Sequence, residues 1–278
     1  MNLFFTKYRI STITSNAKLF TDDDNLTINL IELFNNITID ENDTVGRYIY
    51  TSRFENKNST NKIVRGNYLK KKRTICNKRT FDNQISFVYK LADNYYVNVK
   101  VFQNGSLHIT GSRTIKDIDI PLKKLVTEIK ENKIQICNNI ENLQYGNIQI
   151  LMINTDFKIF KDIEHKSNFA IKRRTLHSIL IEDYNMIARF DPSTYPGVKI
   201  EYWWNDQNNI RDASIHYNIR NVKSKSNIKD GVKKITIAVF ESGSILITGA
   251  ITVEQVNETY DFICNIINKN KDLIHFNI

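Results

Sequence analysis

Few side chains in this sequence stand at spacings that catalyse reactions or ligate metals. The five histidines, His108, His165, His177, His216 and His275, are scattered without metal-ligand spacing. Cys76, Cys137 and Cys264 are odd in number, far apart and outside any Cys-x-x-Cys, which reads as free buried thiols in a reducing compartment. Asp162, Glu164 and His165 read as local surface charge, and Thr21-Asp22-Asp23-Asp24 as N-cap oxygens for a helix through Leu26, Leu30, Ile31 and Phe34. No Gly-rich phosphate loop is present, so an enzyme is not expected. What recurs at fixed spacing is of another kind. Phe102, Gly105, Ser106, Thr110 and Gly111 return 138 positions later as Phe240, Gly243, Ser244, Thr248 and Gly249. An aromatic, a turn glycine and small hydroxyl side chains suit contact with a surface better than bond-making chemistry.

The elements that position these residues repeat as well. Asn104-Gly105 and Ser242-Gly243 sit between apolar runs and predict hairpins with two-residue turns. Each hairpin is followed by a helical stripe: Ile115, Ile118, Leu122, Leu125 and Ile129 in one copy, Val253, Val256, Tyr260, Ile263 and Ile267 in the other. Pro121 implies that the first of these helices starts near it or kinks there. Strand alternation puts Val97, Val99, Val101, Leu107 and Ile109 on one face, and Ile235, Ile237, Val239, Ile245 and Ile247 on its twin. The opposite face carries Phe102, Ser106 and Thr110, with Phe240, Ser244, Leu246 and Thr248, and something should cover it. Further strands are predicted at 8–20, 44–50, 85–91, 147–153 and 198–203, and a helix at 172–184. The reading is a duplicated module, repeat one over 1–140 and repeat two over 141–278, with polar insertions at about 56–80 and 205–230.

The chain carries a formal charge of +9 with a pI near 9.3, which favours polyanionic partners, nucleic acid foremost. Its 41% hydrophobic and 25% charged residues suit an ordinary soluble domain. No run approaches the apolar length of a membrane span, and the start is too short in apolar residues for a signal peptide. Lys70-Lys71-Lys72-Arg73 fits a nuclear-localisation signal and a solvated loop equally. The basic insertion reads either as a phosphate-contacting loop or as a solvated one.

Three motifs resemble the TATA-box-binding protein family. They are the Phe-x-x-Gly-x-x-x-x-Thr-Gly string at Phe102–Gly111 and Phe240–Gly249, the Phe190-Asp191-Pro192-Ser193-Thr194-Tyr195-Pro196-Gly197 stirrup, and Ile148-Gln149 followed by Asp156-Phe157-Lys158. The resemblance implies an α+β fold in which two pseudo-symmetric repeats form one curved antiparallel sheet, a saddle, with helices on the convex face. It implies a general transcription initiation factor that binds and bends double-stranded, A·T-rich DNA through the minor groove; the handling of DNA by apolar wedges is this family's known mode. Phe102 and Phe240 would be wedges, joined by Tyr195 in repeat two and by Phe81 in repeat one, where a gapless count points instead to Ile85. Thr110, Thr248, Ser106, Ser244, Leu246, His108, Lys90 and Ile150 would complete the DNA-facing set.

Departures from the family are part of that reading. Ile150 stands where the second repeat's base-reading Asn would be, and Tyr8 or Arg9 at the place of the first. Glu201 replaces a phosphate-pairing Arg, and Ser106 and Ser244 replace lysines. Looser sequence preference is therefore expected. Asp191, Pro192 and Ser193 would contact an initiation factor of the IIB type, which brings in the RNA polymerase machinery, although Ser193 loses one acid of that contact. No cofactor, metal, small-molecule substrate or membrane is implied. The alternative is a saddle-shaped protein-interaction scaffold in transcription that no longer bends DNA. An intracellular location follows, whether nucleus, viral cytoplasmic factory or virion, the last two suggested by an Asn-, Lys- and Ile-rich composition like that of large DNA viruses.

Overall fold

A computed structural model describes residues 3–22, 26–54, 62–66, 83–161, 164, 169–205 and 232–276. Phe81, Cys76, Asp23, Asp24, Asp162, His165, His216, the Lys70–Arg73 run and most of both insertions lie outside the described residues. In chain order the elements are β1 (Phe4–Phe5), β2 (Arg9–Phe20), α1 (Leu30–Asn36), β3 (Arg47–Phe54), β4 (Lys62–Gly66), β5 (Gln84–Ala92), β6 (Tyr95–Phe102), β7 (Ser106–Ser112) and α2 (Ile115–Glu131). There follow β8 (Gln144–Phe160), α3 (Arg173–Glu182), β9 (Ile187–Arg189), β10 (Val198–Asn205), β11 (Val232–Val239), β12 (Ser244–Ala250), α4 (Val253–Lys269) and α5 (Lys271–Ile274).

The chain divides into two compact units. The first is Thr12–Leu151; the second joins Met1–Ser11 to Met152–Ile278. This division differs from the repeat boundaries at 140 and 141: β2 and β8 each begin in one unit and end in the other. In the first unit the strands run β4-β3-β5-β6-β7-β2, and in the second β8-β12-β11-β10-β9, with β1 on β8. Among the described residues the strand pairings within each unit are antiparallel.

Alternation decides which face each unit buries. In the first unit Val97, Val99, Val101, Leu107 and Ile109 are at most 1% exposed and meet Ile118, Leu122, Leu125 and Ile129 of α2, all fully buried. In the second, Ile235, Ile237, Val239, Ile245 and Ile247 are fully buried, and α4 packs on β12 with Val256, Ile263, Ile266 and Ile267. Each such side chain contributes roughly 1.5–3 kcal/mol by leaving water. The stripes stop one turn short of the expected pattern, since Ile115 and Val253 at the first helical turns are more than half exposed.

Three local expectations change. The hairpin turns are three residues long, not two: Gly105 N–H donates to the Phe102 carbonyl at 3.0 Å and Gly243 N–H to that of Phe240 at 3.1 Å, with φ of +78° and +74°. A type I turn closed by a left-handed glycine satisfies the strand twist as well as the shorter turn does. α2 runs through Pro121, because Thr114 and Asp117 cap each other in a capping box a full turn and a half earlier. α1 is capped by Asn29, whose side chain accepts from Glu32 N–H at 3.1 Å, and Leu26 lies outside the helix. Asp22 is not the cap; it accepts a hydrogen bond from Asn142.

Candidate nucleic-acid interface

The end of the β11–β12 hairpin in the second unit gathers the aromatic residues of the two motifs. Phe240 is half-buried, and its ring packs on Tyr195 with centroids 5.7 Å apart and planes at 56°. Gly197 makes the room: a Cβ there would stand 3.0 Å from the Tyr195 ring and 3.1 Å from Phe240. Lys199 holds its ammonium 3.8 Å over the Tyr195 ring, a cation–π contact worth about 0.5–1 kcal/mol at an exposed site. Arg173 clasps the stirrup from beneath. Its guanidinium donates to the Pro196 carbonyl at 2.6 Å, pairs with Glu241, and lies over the Phe190 ring. Asp191, Pro192 and Ser193 are exposed at the stirrup's tip. Asp191 accepts from Ser193 N–H and Oγ–H and from the Thr194 hydroxyl, and these bonds hold its carboxyl below the ordinary range, so it stays anionic.

In the first unit Phe102 is half-buried at the matching hairpin end and lines a cleft of about 450 Å³ with Leu26, Thr27, Asn83 and Ser106. Its expected neighbour Phe81 lies outside the described residues. Ile85, the gapless alternative, is fully buried opposite Val101 on the core face, so it is no wedge.

The uncovered face of each sheet is a set of cross-strand rows. In the first unit one row is Ser52–Ser86–Lys100–His108–Asn16 and the next Tyr50–Val88–Asn98–Thr110–Thr14, with Ser106 opposite Lys18 beyond them. The corresponding rows of the second unit are Asp156–Leu246–Ala238–Lys199–Arg189 and Asn154–Thr248–Thr236–Glu201, with Ser244 opposite Lys158. Small polar and apolar side chains thus dominate, and charge sits on Lys100 of β6, on the outer strands β9 and β10, and on β2 and β8. His108 bonds through Nδ1 to the Asn16 side chain at 2.8 Å; burial, then the nearby Lys100, pushes its pKa down, so it is neutral at pH 7. Glu201 lies between Arg189 at 3.6 Å and Lys234 at 3.9 Å, and Asp156 accepts from Arg9 at 2.8 Å. The two carboxylates that would repel a phosphate are each met by a cation.

Other expected contacts sit differently. Lys90 is 7% exposed, its ammonium bonded to the Asp43 carboxylate at 2.9 Å and 3.3 Å from Asp93, so the structure gives it a partner within the fold in place of a phosphate. The Asp43 hydrogen bond raises its pKa. Ile150 is half-buried between exposed Gln149 and Leu151 on β8. Tyr8 donates to Asn257 at 2.5 Å and packs edge-on to Tyr260, serving as an anchor. Arg65, from the basic insertion, donates to the Phe34, Asn35 and Ile37 carbonyls and closes the end of α1. Sequence reasoning missed Lys199, Arg173 and the space kept by Gly197. The stirrup motif held Gly197, but its reason appears only when β10 pairs with β11 and brings Phe240 alongside.

Among the described residues no group of His, Cys, Asp and Glu is placed to hold a metal, and no helix is long and apolar enough to cross a membrane.

Residues 209–270 match the family model described as transcription factor TFIID, or TATA-binding protein. A TATA-box-binding protein-like protein of Acanthamoeba polyphaga mimivirus is 28% identical over 275 residues, covering 94% of this chain and 65% of its own length. TATA-box-binding protein 2 of Entamoeba histolytica is 26% identical over 171 residues, 62% of this chain and 58% of that protein. The chain therefore spans less than two-thirds of the length of either relative. Among solved structures, Methanococcus jannaschii TBP superposes with a TM-score of 0.50 at 14% identity, covering 95% of this chain and 99% of that one, which shows a shared α+β fold. Taken with the paired hairpin motifs and the stirrup, these similarities support a divergent TATA-box-binding-protein-like protein.

Proposed function

We propose that this chain acts in transcription initiation by binding duplex DNA through the minor groove and bending it, with looser sequence preference than its relatives' names imply. The observation that carries the reading is that each unit has an uncovered face of small polar and apolar cross-strand rows with a half-buried phenylalanine, Phe102 or Phe240, at the end of the adjoining hairpin. Serine, threonine and leucine side chains suit a groove floor that offers few donors. Smooth bending by tens of degrees costs roughly 1–6 kcal/mol, and unstacking at each wedged step a few more. Burial of Phe102, Phe240 and Tyr195 between bases, with phosphate contacts from Lys18, Lys100, Lys158 and Lys199, is what offsets that cost. Asp191, Pro192 and Ser193 remain the proposed contact for an initiation factor of the IIB type, and the polymerase machinery the proposed larger partner. The chain's location would be wherever transcription runs, in a nucleus or a viral factory. No catalytic role is proposed.

End-to-end fluorescence transfer on a doubly labelled duplex tests the reading. A TATA-like duplex should shorten on binding and outcompete a G·C-rich duplex, and Phe102→Ala with Phe240→Ala should abolish the shortening. Equal affinity for both duplexes without bending would overturn it and favour a protein-interaction scaffold. Glu201 and Asp156 on the uncovered face are the features that scaffold reading draws on.

A further inference from the structure

We propose that His108, held by Asn16, reads one G·C pair in an otherwise A·T-rich site by accepting a hydrogen bond from the guanine amino group. The inference rests on the minor-groove reading above and names a specificity-determining residue within it.

Local chemistry fixes which hydrogen-bonding role the ring can offer. His108 on β7 stands directly opposite Asn16 on β2, and its Nδ1 lies 2.8 Å from Asn16 Oδ1. An amide oxygen can only accept, so Nδ1 carries the hydrogen and donates it. In the neutral ring the other nitrogen, Nε2, then keeps a lone pair and can only accept. Burial, and then Lys100 facing His108 from β6, both favour that neutral form. Nε2 makes no hydrogen bond among the described residues, and the side chain is only half-buried. Ser106, His108 and Thr110 alternate with the buried Leu107 and Ile109, so the imidazole stands on the uncovered face. The middle of β7 thus offers that face one oriented acceptor.

In the minor groove an acceptor carries information. A·T and T·A pairs present only the acceptors adenine N3 and thymine O2, which the Nε2 lone pair repels. A G·C pair adds the guanine N2 amino group, whose second hydrogen takes no part in base pairing. The hydroxyls of Ser106 and Thr110 on either side do not discriminate in this way, because each can donate as well as accept.

The second unit supplies the contrast. Leu246 holds the place of His108, 138 positions on, and stands opposite Asp156. Asp156 accepts from Arg9, and Ala238 stands opposite Leu246 where Lys100 stands opposite His108. An aliphatic side chain pressed on a guanine amino group leaves that donor dry and unpaired, a cost that A·T pairs do not carry. A single G·C pair should therefore be favoured where β7 meets the groove and disfavoured where β12 does.

The experiment measures affinity at about pH 8 for a labelled A·T-rich duplex in which one G·C pair is moved a position at a time. Each duplex is then remade with inosine for guanine, which keeps the pairing with cytosine and loses only the amino group. At one position the wild type should bind the guanine duplex about threefold to tenfold more tightly than the inosine duplex, the worth of one hydrogen bond. His108→Leu should remove or reverse that difference. Asn16→Leu, which frees the ring to take either tautomer, should shrink it, whereas Asn16→Asp, whose carboxylate still accepts from Nδ1, should keep it. Each result is a ratio between two duplexes, so a general loss of affinity cancels, and the wild-type comparison needs no variant to fold. Equal binding of guanine and inosine duplexes at every position, or an undiminished difference in His108→Leu, overturns the assignment while leaving DNA binding intact. An undiminished difference in Asn16→Leu overturns the part given to Asn16. Failure of the wild type to bind any of these duplexes overturns the functional reading, and this assignment with it.

Discussion

The Tyr195–Phe240 pair exists because Gly197 has no side chain. A methyl group there would meet both rings at about 3 Å, closer than ordinary contact, and both cannot retreat while Arg173 fixes Pro196 and the ladder fixes Phe240. Gly197→Ala is expected to cost about 1–3 kcal/mol through overpacking, read as a lower denaturant midpoint, and to part the rings. The aromatic pair should also act as one unit: Tyr195→Ala and Phe240→Ala would lose DNA bending non-additively, the double variant being little worse than Phe240→Ala in a fluorescence-transfer cycle. His108 supplies a pH dependence. Its folded pKa lies below the ordinary value near 6.5, first through burial and then through Lys100. The unfolded chain therefore binds the proton more readily, and stability present above pH about 6.5 is lost as pH falls towards the folded value. His108→Gln should show a flatter decline of melting temperature below pH 6 than the wild type. Equal declines would mean that other groups set the acid limb.

At the scale of elements, the basic β4 strand acts in part as a clamp. Arg65 donates to the Asn35 and Ile37 carbonyls at 2.9 and 3.0 Å and to Phe34, groups that the end of a seven-residue helix leaves without intrahelical donors. Arg65 and Arg53 both lie over the Phe34 ring. Arg65→Met should therefore cost about 1–3 kcal/mol and raise hydrogen exchange in α1 while leaving α4 unchanged, since the lost bonds are charge-assisted. Nothing in the sequence ties Arg65 to Phe34, thirty-one positions away, and a run of lysines and arginines reads as a solvated or phosphate-facing loop. Strands and helices with regular alternation were legible: β6, β7, β11, β12, α2 and α4 follow from apolar spacing, because burial on one face is a local pattern. Turn length, the Asn29 cap and the passage of α2 through Pro121 were not, because each depends on a competing hydrogen bond that spacing alone does not weigh. The same divide runs through the site. Phe102 and Phe240 were singled out by the repeated string and Tyr195 by the stirrup, whereas the packing of Tyr195 on Phe240, the engagement of Lys90 by Asp43 and the gap kept by Gly197 depend on which strands become neighbours.

At the scale of the molecule, a repeat in the sequence need not be a unit in the fold. The second unit draws Met1–Ser11 from the start of the chain, although its remaining residues begin at Met152. Those first residues are bonded closely into it. Thr6 N–H donates to the Lys158 carbonyl at 3.0 Å, Lys158 N–H to the Thr6 hydroxyl at 3.0 Å, and the Tyr260 hydroxyl to the Thr6 carbonyl at 3.0 Å. Tyr8 adds its bond to Asn257 and an edge-on contact with Tyr260, whose ring also packs on Phe157 with centroids 4.7 Å apart. The opening segment thus completes the unit built from the later part of the chain. A chain beginning at Arg9, otherwise full length, should lose about 3–5 kcal/mol from the second unit, taking roughly 1 kcal/mol for each hydrogen bond and adding the ring contact. Hydrogen exchange should rise in Met152–Phe160 and in α4 and stay unchanged in α2. Uniform acceleration through both helices would show that the two units unfold as a single cooperative body, and the assignment of the opening segment to one of them would then carry no energetic meaning.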